Sequence, residues 1–487
     1  MRTVLVTGTG GAGRTTVAAA TALAAAREGQ RTLLLTADSD GTPEALLGIG
    51  TPRAVPGRSA DRLPWSVPAE VAPGLWAARV VTDEWFRGEL TALQDRGHGL
   101  LDLLGATPLA GEELTALPGV EAIALLRALR AAQTAPPGTG WDVLVVDMPP
   151  APDTVALLAL PEQLRRYLRR LLPAERQAAR ALRPMLAQLA GVPMPAQKLY
   201  ETAERWEREL AAVQGVIESE ATTVRLVVEP GPLADRALRT ARAGLALHGC
   251  RVEAVIANRL LPTGTSDPWL AALSGQQQDA LKELYEQWTP AVPVHELPHL
   301  GRDPHGLGDP RPAEPHAGEP RSADSRSGEP RSADSRSGEP RSADSRSGEP
   351  RSADSRSGEP RPAEPRSAEP HSGDGARRAP ADLADLARVV GAPAARPDRP
   401  APDPWTVEDR LAEDGVLLWR LPLPGADRDG LSLVRRGDEL IVTVAPFHRV
   451  LPLPSALRRC TVSGAGLRDG WLQVRFTPDP DLWPKRL

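Results

Sequence analysis

A glycine-rich loop near the start of the chain constrains its fold more than any other feature. Residues 8–16 read GTGGAGRTT and lie between a strand-like run, RTVLVTG, and an alanine-rich helical run. Loops of the pattern G-x-x-x-x-G-K-[ST] join a strand to a helix and cradle phosphate with backbone N–H groups. The sequence therefore predicts a nucleotide-binding loop, in which Arg14 stands where lysine is usual.

Some loop residues are expected to bind phosphate and one to bind the metal ion. Thr15 is placed to ligate Mg²⁺ through its hydroxyl, and Thr16 to contact the α-phosphate. Arg14 keeps the charge of a lysine, but it is planar and bulkier, so slowed hydrolysis and a working substitute both stay open. A glycine-rich turn without a ligand is the plain alternative. The residues predicted to contact nucleotide here are Gly8, Gly10, Gly11, Ala12, Gly13, Arg14, Thr15 and Thr16.

Continuous apolar runs alternate with helical stretches through the first 300 residues. They include RTLLLTAD, WDVLVVDMPP, TVRLVVEP and CRVEAVIANRLLP. Such strands, separated by helices, indicate a parallel sheet covered on both faces. We predict an α/β fold with a doubly wound, mostly parallel sheet in residues 1–302. The segment 155–220 is mostly helical in pattern, with its arginines and glutamates expected on solvent faces.

The net charge and the cysteine content indicate which partners and which cellular compartment suit the chain. The net charge of −5 over 487 residues does not favour a nucleic-acid partner. The two cysteines are far apart and lack His or Cys neighbours at ligand spacing, which fits a reducing cytosol. The chain lacks an apolar run of the roughly 18 residues needed for a transmembrane segment. We therefore expect a cytoplasmic protein.

A ten-residue repeat interrupts the chain after the α/β region. RSADSRSGEP occurs four times without change in residues 321–360, with degenerate copies on both sides. Each copy has zero net charge and no large apolar residue, so it cannot bury enough surface to offset the entropy of ordering. A stacked solenoid would need apolar residues in each unit. We expect 303–380 to be a disordered low-complexity insertion.

Three further segments follow the repeat. ADLADLARVVG indicates a helix over 381–392, and a Pro-rich linker covers 393–404. Residues 405–487 alternate apolar and polar positions between Arg-Gly-Asp and Asp-Gly turns, which predicts a small all-β sandwich. We expect this segment to fold on its own.

An ordered set of motifs resembles the ArsA-type ATPases, which include the arsenite-pump ATPase and the ATPases that target tail-anchored membrane proteins. The loop is similar to their G-K-G-G-x-G-K-T-T, and WDVLVVDMPPAPDT to the switch segment after their second acidic strand. VIANRLLP resembles the strand whose Asn reads adenine. Residues 405–487 resemble the α-crystallin-like sandwich of some bacterial members. The helix at 381–392 then resembles the last helix of the ATPase domain, which makes the repeat a long loop inside that domain.

The resemblance implies roles for three more residues. Asp38 falls where the family orients the attacking water, which makes it a catalytic candidate together with Arg14. Asp147 falls where a carboxylate reaches Mg²⁺, and Asn258 at the adenine contact. A carboxylate at a strand end beside the loop is suited to work on water or metal. A helix cap at Asp38 and a turn residue at Asn258 are the structural alternatives.

The chain also departs from the family pattern. Thr9 replaces the lysine that crosses a dimer interface, the arsenite-site cysteines are absent, and three prolines stiffen the switch segment. The resemblance implies an ATP- and Mg²⁺-binding, nucleotide-switched dimer, either a homodimer or a heterodimer with an intact homologue, and weak hydrolysis. The alternative is a non-hydrolysing pseudo-ATPase that acts as a structural partner. An anion-pump motor is disfavoured.

The first prediction concerns the repeat. Deleting residues 303–378 and joining the ends with a short linker should leave the melting temperature within a few degrees, since long insertions in surface loops cost little. Differential scanning calorimetry of the two chains measures this. A large loss of stability would mean that the segment packs against the rest of the protein.

Overall fold

A computed structural model of the protein contains one large sheet and a separate β-rich region. It describes residues 1–37, 41–47, 63–104, 107–134, 140–172, 195–304, 382–393 and 405–483. The large sheet consists of β1 (Arg2–Gly8), β2 (Thr32–Thr36), β3 (Ala69–Ala72), β4 (Leu75–Arg79), β5 (Val143–Asp147), β6 (Thr222–Val228), β7 (Val252–Leu260) and β8 (Val294–Pro298). Their spatial order is β3-β4-β2-β5-β1-β6-β7-β8, and every pairing is parallel except that of β3 with β4.

Helices connect these strands and cover the sheet. They are α1 (Arg14–Arg27), α2 (Thr42–Leu47), α3 (Thr82–Leu104), α4 (Val120–Gln133), α5 (Ala151–Leu171), α6 (Pro195–Ile217), α7 (Pro232–Leu247), α8 (Pro268–Trp288) and α9 (Asp382–Val390). A single 3₁₀ turn at Gly111–Glu113 precedes α4. Of the described helices, α9 is the one that follows the repeat, and it packs on α1 and β8.

Both faces of the sheet are buried, which explains the continuous apolar runs. Leu5 of β1 belongs to one hydrophobic cluster with residues of α4, α7 and α8, whereas Val4 and Val6 belong to a second cluster with residues of α1 and α9. Neighbouring strand residues point to opposite faces, so apolar residues occupy consecutive rather than alternate positions in the central strands. The predicted α/β class, a doubly wound and mostly parallel sheet, is confirmed.

A buried group of charges ties the strands of the sheet to its last helix. Glu253 of β7 forms ion pairs with Arg2 of β1 and, at 2.6 Å, with Arg225 of β6. Arg225 also donates to the carbonyl oxygens of Val390 and Gly391, at 3.3 and 3.0 Å, at the C-terminus of α9. Burial favours a raised pKa for the Glu253 carboxyl, but Arg225, the Thr223 hydroxyl and Arg2 hold it below its ordinary value.

The C-terminal region is a two-sheet antiparallel β structure. Its strands are β9 (Thr406–Arg410), β10 (Val416–Pro422), β11 (Leu431–Arg436), β12 (Glu439–Val444), β13 (Phe447–Pro452), β14 (Cys460–Arg468) and β15 (Trp471–Pro478), with a short helix, α10 (Ser455–Arg458), before β14. They form the sheets β14-β15-β10-β9 and β11-β12-β13. Asp469 and Gly470 join β14 to β15 with φ of 51° and 73°, as a two-residue type I′ hairpin turn requires. The predicted all-β class of this region is confirmed.

This sandwich packs against the helices of the α/β part. Phe447 lies over the backbone of Gly244 in α7, where a Cβ atom would come within 2.5 Å of the phenyl ring. Gly425 lies on the backbone of Arg239 in the same helix. One hydrophobic cluster accordingly runs from the sheet into the sandwich, as far as the fully buried Trp419. Independent folding of 405–487 stays a prediction.

Charged residues of α5 also face the sandwich, which corrects the expectation that they point to solvent. Arg449 of β13 pairs with Glu162 at 3.0 Å, and Glu439 of β12 pairs with Arg166 and Arg170 at 2.8 and 2.7 Å. The helical pattern places these three α5 residues on one face. The sequence alone does not show that another domain covers that face. In the structure, oppositely charged residues of β12 and β13 pair with the charges on it.

The second prediction uses two helical glycines as a matched pair. Gly244→Ala should destabilise the protein by about 1–3 kcal/mol, because the new methyl group clashes with the Phe447 ring. Gly275→Ala in α8 meets no atom within 4 Å and should stabilise by up to about 1 kcal/mol, the usual helix gain of alanine over glycine. Thermal unfolding of the full chain measures both.

A third variant identifies the cause of the first effect. Phe447→Leu in the Gly244→Ala background should recover part of the loss, because the smaller side chain makes room for the methyl group. Equal stabilisation by both alanines would show that Phe447 does not pack on α7 in solution.

Candidate nucleotide site

The glycine-rich loop lies between β1 and α1, at the carboxyl edge of the sheet. Gly11 and Gly13 have φ of 76° and 87°, in the left-handed region that L side chains rarely adopt. A Cβ atom at Gly8 would lie 1.8 Å from the Val227 carbonyl oxygen of β6, so only glycine fits there. Gly10 and Gly11 face open space. The loop therefore has a tightly held base and an open outer face, on which a ligand has room to bind.

Asn258 holds the loop from the end of β7. Its buried side-chain amide donates to the carbonyl oxygen of Ala12 at 2.7 Å, and a Cβ atom at Gly13 would lie 2.4 Å from its nitrogen. The residue was predicted to contact adenine on the basis of the resemblance, and that role stays a prediction. The structure adds a different role, since Asn258 also fixes the shape of the loop.

The two predicted metal ligands lie beside one pocket. Thr15, at the start of α1, lines it together with Asp147 and Thr36 from the ends of β5 and β2. Asp147 is buried, and the Thr36 hydroxyl donates to its carboxylate at 3.4 Å. Apolar residues of α1, β2 and α2 form the rest of the lining. A hydroxyl and a carboxylate that line one pocket beside the loop are oxygen donors of the kind that Mg²⁺ prefers.

Arg14 contacts the segment that follows β5. One guanidinium nitrogen donates to the Met148 carbonyl oxygen at 2.5 Å. Met148 follows Asp147, and its own N–H donates to Val6 of β1 at 2.9 Å. The cation at the lysine position thus joins the phosphate loop to the segment that the resemblance identifies as a switch.

Two threonines that the sequence analysis missed fasten the same segment. The hydroxyls of Thr7 and Thr154 each donate to the Pro149 carbonyl oxygen at 2.7 Å, and they lie 3.0 Å from each other. Thr7 precedes the loop and Thr154 lies in the first turn of α5. Nothing in a single sequence links two threonines so far apart, because only the pairing of β1 with β5 brings them together.

A second missed feature is a bulge at the end of β7. Arg259 has a φ of 58°, which is unusual for a residue with a side chain. The buried Gln277 of α8 donates to the Arg259 carbonyl oxygen at 3.1 Å and accepts from the Leu261 N–H at 2.7 Å. These two bonds hold the bulge in place and so position Asn258 against the loop.

The predicted site residues come together with one exception. The loop residues, including Thr16 in the first turn of α1, lie together with Asp147 and Asn258 at one edge of the sheet. The exception is Asp38, which lies outside the described residues. These features define a P-loop type of α/β nucleotide-binding fold.

Comparison with known families gives this fold a closer relation. The chain matches the anion-transporting ATPase (ArsA) family over residues 1–43 and 61–309, and the HSP20-like domain found in ArsA over residues 414–476. Because the first match covers more than half of the chain, the protein belongs to the ArsA-type ATPase family. Members of this family bind nucleotide, typically with Mg²⁺, and are generally dimeric.

Individual relatives agree with the family match. An uncharacterized protein of Streptomyces coelicolor is 48% identical over all of both chains. A protein of Mycobacterium tuberculosis is 28% identical over 99% of this chain and 97% of its own. A protein of Aquifex aeolicus, named as an arsenical pump-driving ATPase, is 25% identical over 63% of this chain and 76% of its own.

The third prediction tests the structural role of Asn258. Asn258→Asp replaces the buried donor with an acceptor that faces the Ala12 carbonyl oxygen, which should cost about 1–3 kcal/mol of stability in the absence of any ligand. Urea unfolding of the ligand-free chain measures the change. Unchanged stability would mean that Asn258 does not hold the loop.

Proposed function

We propose that this protein is a nucleotide-switched ATP-binding dimer whose ATP hydrolysis is weak and depends on a partner chain. The observation that carries the proposal is the loop itself. It keeps the left-handed glycines, the open outer face and the hydroxyl–carboxylate pair of Thr15 and Asp147. It lacks lysine at positions 9 and 14.

The residues present fit Mg²⁺–ATP. Gly13 precedes α1 without a side-chain cap, so the N-terminus of α1 offers backbone N–H groups and partial positive charge to a phosphate in the loop. Thr15 and Asp147 would hold Mg²⁺, which when bound neutralises charge on the phosphates. Thr16 would contact the α-phosphate and Asn258 the adenine edge. Asp38 would orient the attacking water, since a carboxylate near the terminal phosphate is suited to that task.

Arg14 supplies the positive charge of the loop in a different form. Lysine acts there as a compact point charge, whereas the guanidinium group spreads its charge over a planar fork with five donors. One of these donors is directed at Met148. Arg14 can therefore contact phosphate only with its remaining donors or after leaving Met148, which favours binding over fast hydrolysis.

The missing charge at Thr9 points to a partner. In the family pattern this position is a lysine that reaches the nucleotide of the other subunit, and the Thr9 side chain carries no charge. Cations supplied in trans contribute about 10³-fold or more to phosphoryl transfer. A homodimer would lack this contribution on both sides. A heterodimer with an intact homologue would restore it at the site of this chain.

A non-hydrolysing subunit is the second candidate function, and the absence of both lysines is what favours it. Such a chain would hold ATP, or no nucleotide, and act as a structural partner. Among the described helices none is long and apolar enough to cross a membrane. We place both candidates in the cytoplasm, where ATP is available.

The fourth prediction restores the two lysines. Thr9→Lys combined with Arg14→Lys should raise turnover of the purified homodimer at least tenfold, because each site regains its loop lysine and the lysine of its partner. Release of inorganic phosphate under saturating Mg²⁺–ATP measures the effect.

The two single variants separate the contributions. Thr9→Lys alone tests the charge across the interface, and Arg14→Lys alone tests the loop. Turnover of about 1 s⁻¹ or faster by the unmodified chain, within the ordinary enzyme range, would overturn the dependence on a partner. Absence of nucleotide binding by the unmodified chain would leave only the structural role.

A further inference from the structure

Helix α5 begins beside the candidate site, and its second half contacts the sandwich. Its first residue, Ala151, is four positions after Asp147, and its first turn is fastened to β1 by Thr7 and Thr154. Its second half carries Glu162, Arg166 and Arg170. The helix therefore connects the carboxyl edge of the sheet to the C-terminal domain without an intervening element.

The contacts of the second half are partly buried and charge-assisted. Arg166 donates to Glu439 through two nitrogens, at 2.8 and 3.2 Å, and both side chains are about one-quarter exposed or less, at 21% and 26%. The side chain of Arg449 is 11% exposed, pairs with Glu162 and donates to the Leu247 carbonyl oxygen of α7 at 2.9 Å. Hydrogen bonds from Arg166 and Arg170 lower the pKa of the Glu439 carboxyl. Such pairs are sensitive to small displacements of one partner.

A proline separates the two halves of α5. Pro161 is buried inside the helix, between the turn that follows the site and the turn that carries Glu162. Proline removes one backbone hydrogen bond from the helix and favours bending at that point. The first half of α5 can therefore shift with the segment 147–150. The helix bends near Pro161, and the bend changes the position of the half that contacts the sandwich.

The hydrogen bond of Arg14 links that shift to the phosphate loop. Its guanidinium donates to the carbonyl oxygen of Met148, just before α5. A phosphate in the loop is a stronger acceptor for the same donors, because it carries a full negative charge and its oxygens can accept two parallel bonds from one guanidinium. Nucleotide binding then competes with one of the bonds that hold the segment before α5.

We propose that α5 couples nucleotide binding in the loop to docking of the C-terminal sandwich, through release of Met148 by Arg14 at one end and the ion pairs of Glu439 and Arg449 at the other. The proposal rests on the proposed nucleotide binding. Bound nucleotide loosens the contact of β12 and β13 with α5. By linkage, the undocked state binds nucleotide more tightly than the docked state, by the factor by which nucleotide weakens docking. A variant with weakened docking therefore binds nucleotide more tightly.

The test compares the full-length chain with Glu439→Gln and with a matched control, Glu413→Gln, at an exposed glutamate in the turn after β9. Calorimetric titration with Mg²⁺–AMP-PNP gives the dissociation constant of each. Hydrogen exchange of residues 439–452, with and without AMP-PNP, reports docking. We expect AMP-PNP to accelerate exchange there at least threefold in the unmodified chain, and Glu439→Gln to lower the dissociation constant at least threefold. Glu413→Gln should change neither quantity.

Glu162→Gln provides a second, milder variant on the other ion pair, and it keeps the proposal testable if Glu439→Gln prevents folding. Nucleotide binding with unchanged exchange in 439–452 and equal dissociation constants for all variants would overturn the coupling and leave the proposed function standing. A lack of binding by the unmodified chain would overturn both proposals together.

Discussion

The buried ion pairs around Glu253 are the interaction on which the arrangement of the α/β part depends. A carboxylate and two guanidinium groups removed from water are costly unless each is paired, and breaking one such pair leaves an uncompensated charge. Glu253 meets Arg2 and Arg225, and Arg225 also donates to the carbonyls that end α9. Three strands and the helix after the repeat are therefore fixed together. This explains how a chain can carry about 80 residues between β8 and α9 and still return to the same place on the sheet.

The shape of the nucleotide loop also depends on contacts between residues that are far apart in the sequence. Gly8 is required by the Val227 carbonyl of β6, and Gly13 by Asn258 of β7. Asn258 is itself positioned by the bulge at Arg259, which Gln277 holds from α8. The loop is thus shaped by contacts with β6 and β7 as well as by its own sequence. A preshaped loop has less ordering entropy to lose when phosphate binds, which favours affinity.

Local patterns made the strands, the loop, the first helix and the hairpin turns predictable from the sequence. The apolar runs indicated β1, β2, β5, β6 and β7, because a strand buried on both faces carries apolar residues at consecutive positions. The bond from Asn258 to the Ala12 carbonyl oxygen was not predictable, since the two residues are 246 positions apart and Asn258 alone also suits a turn. The short, alanine-rich β3 and β4 also lacked a strand signal. The charges of α5 were read as a solvent face because a single sequence does not show which surface another domain will cover.

The arginine at position 14 is best understood from how this chain uses arginine elsewhere. The sequence contains only three lysines, and its arginines repeatedly occupy places where a planar group has an advantage. The Arg31 guanidinium lies at 5.0 and 4.8 Å from the ring centroids of Trp76 and Trp141, which are themselves 5.3 Å apart, a cation–π arrangement that suits guanidinium. At position 14 the same planar fork reaches the Met148 carbonyl and still has donors left. A lysine would concentrate its charge on phosphate, whereas Arg14 places one of its donors on the segment before α5. In the proposed function, arginine at this position therefore favours sensing of bound nucleotide over fast hydrolysis.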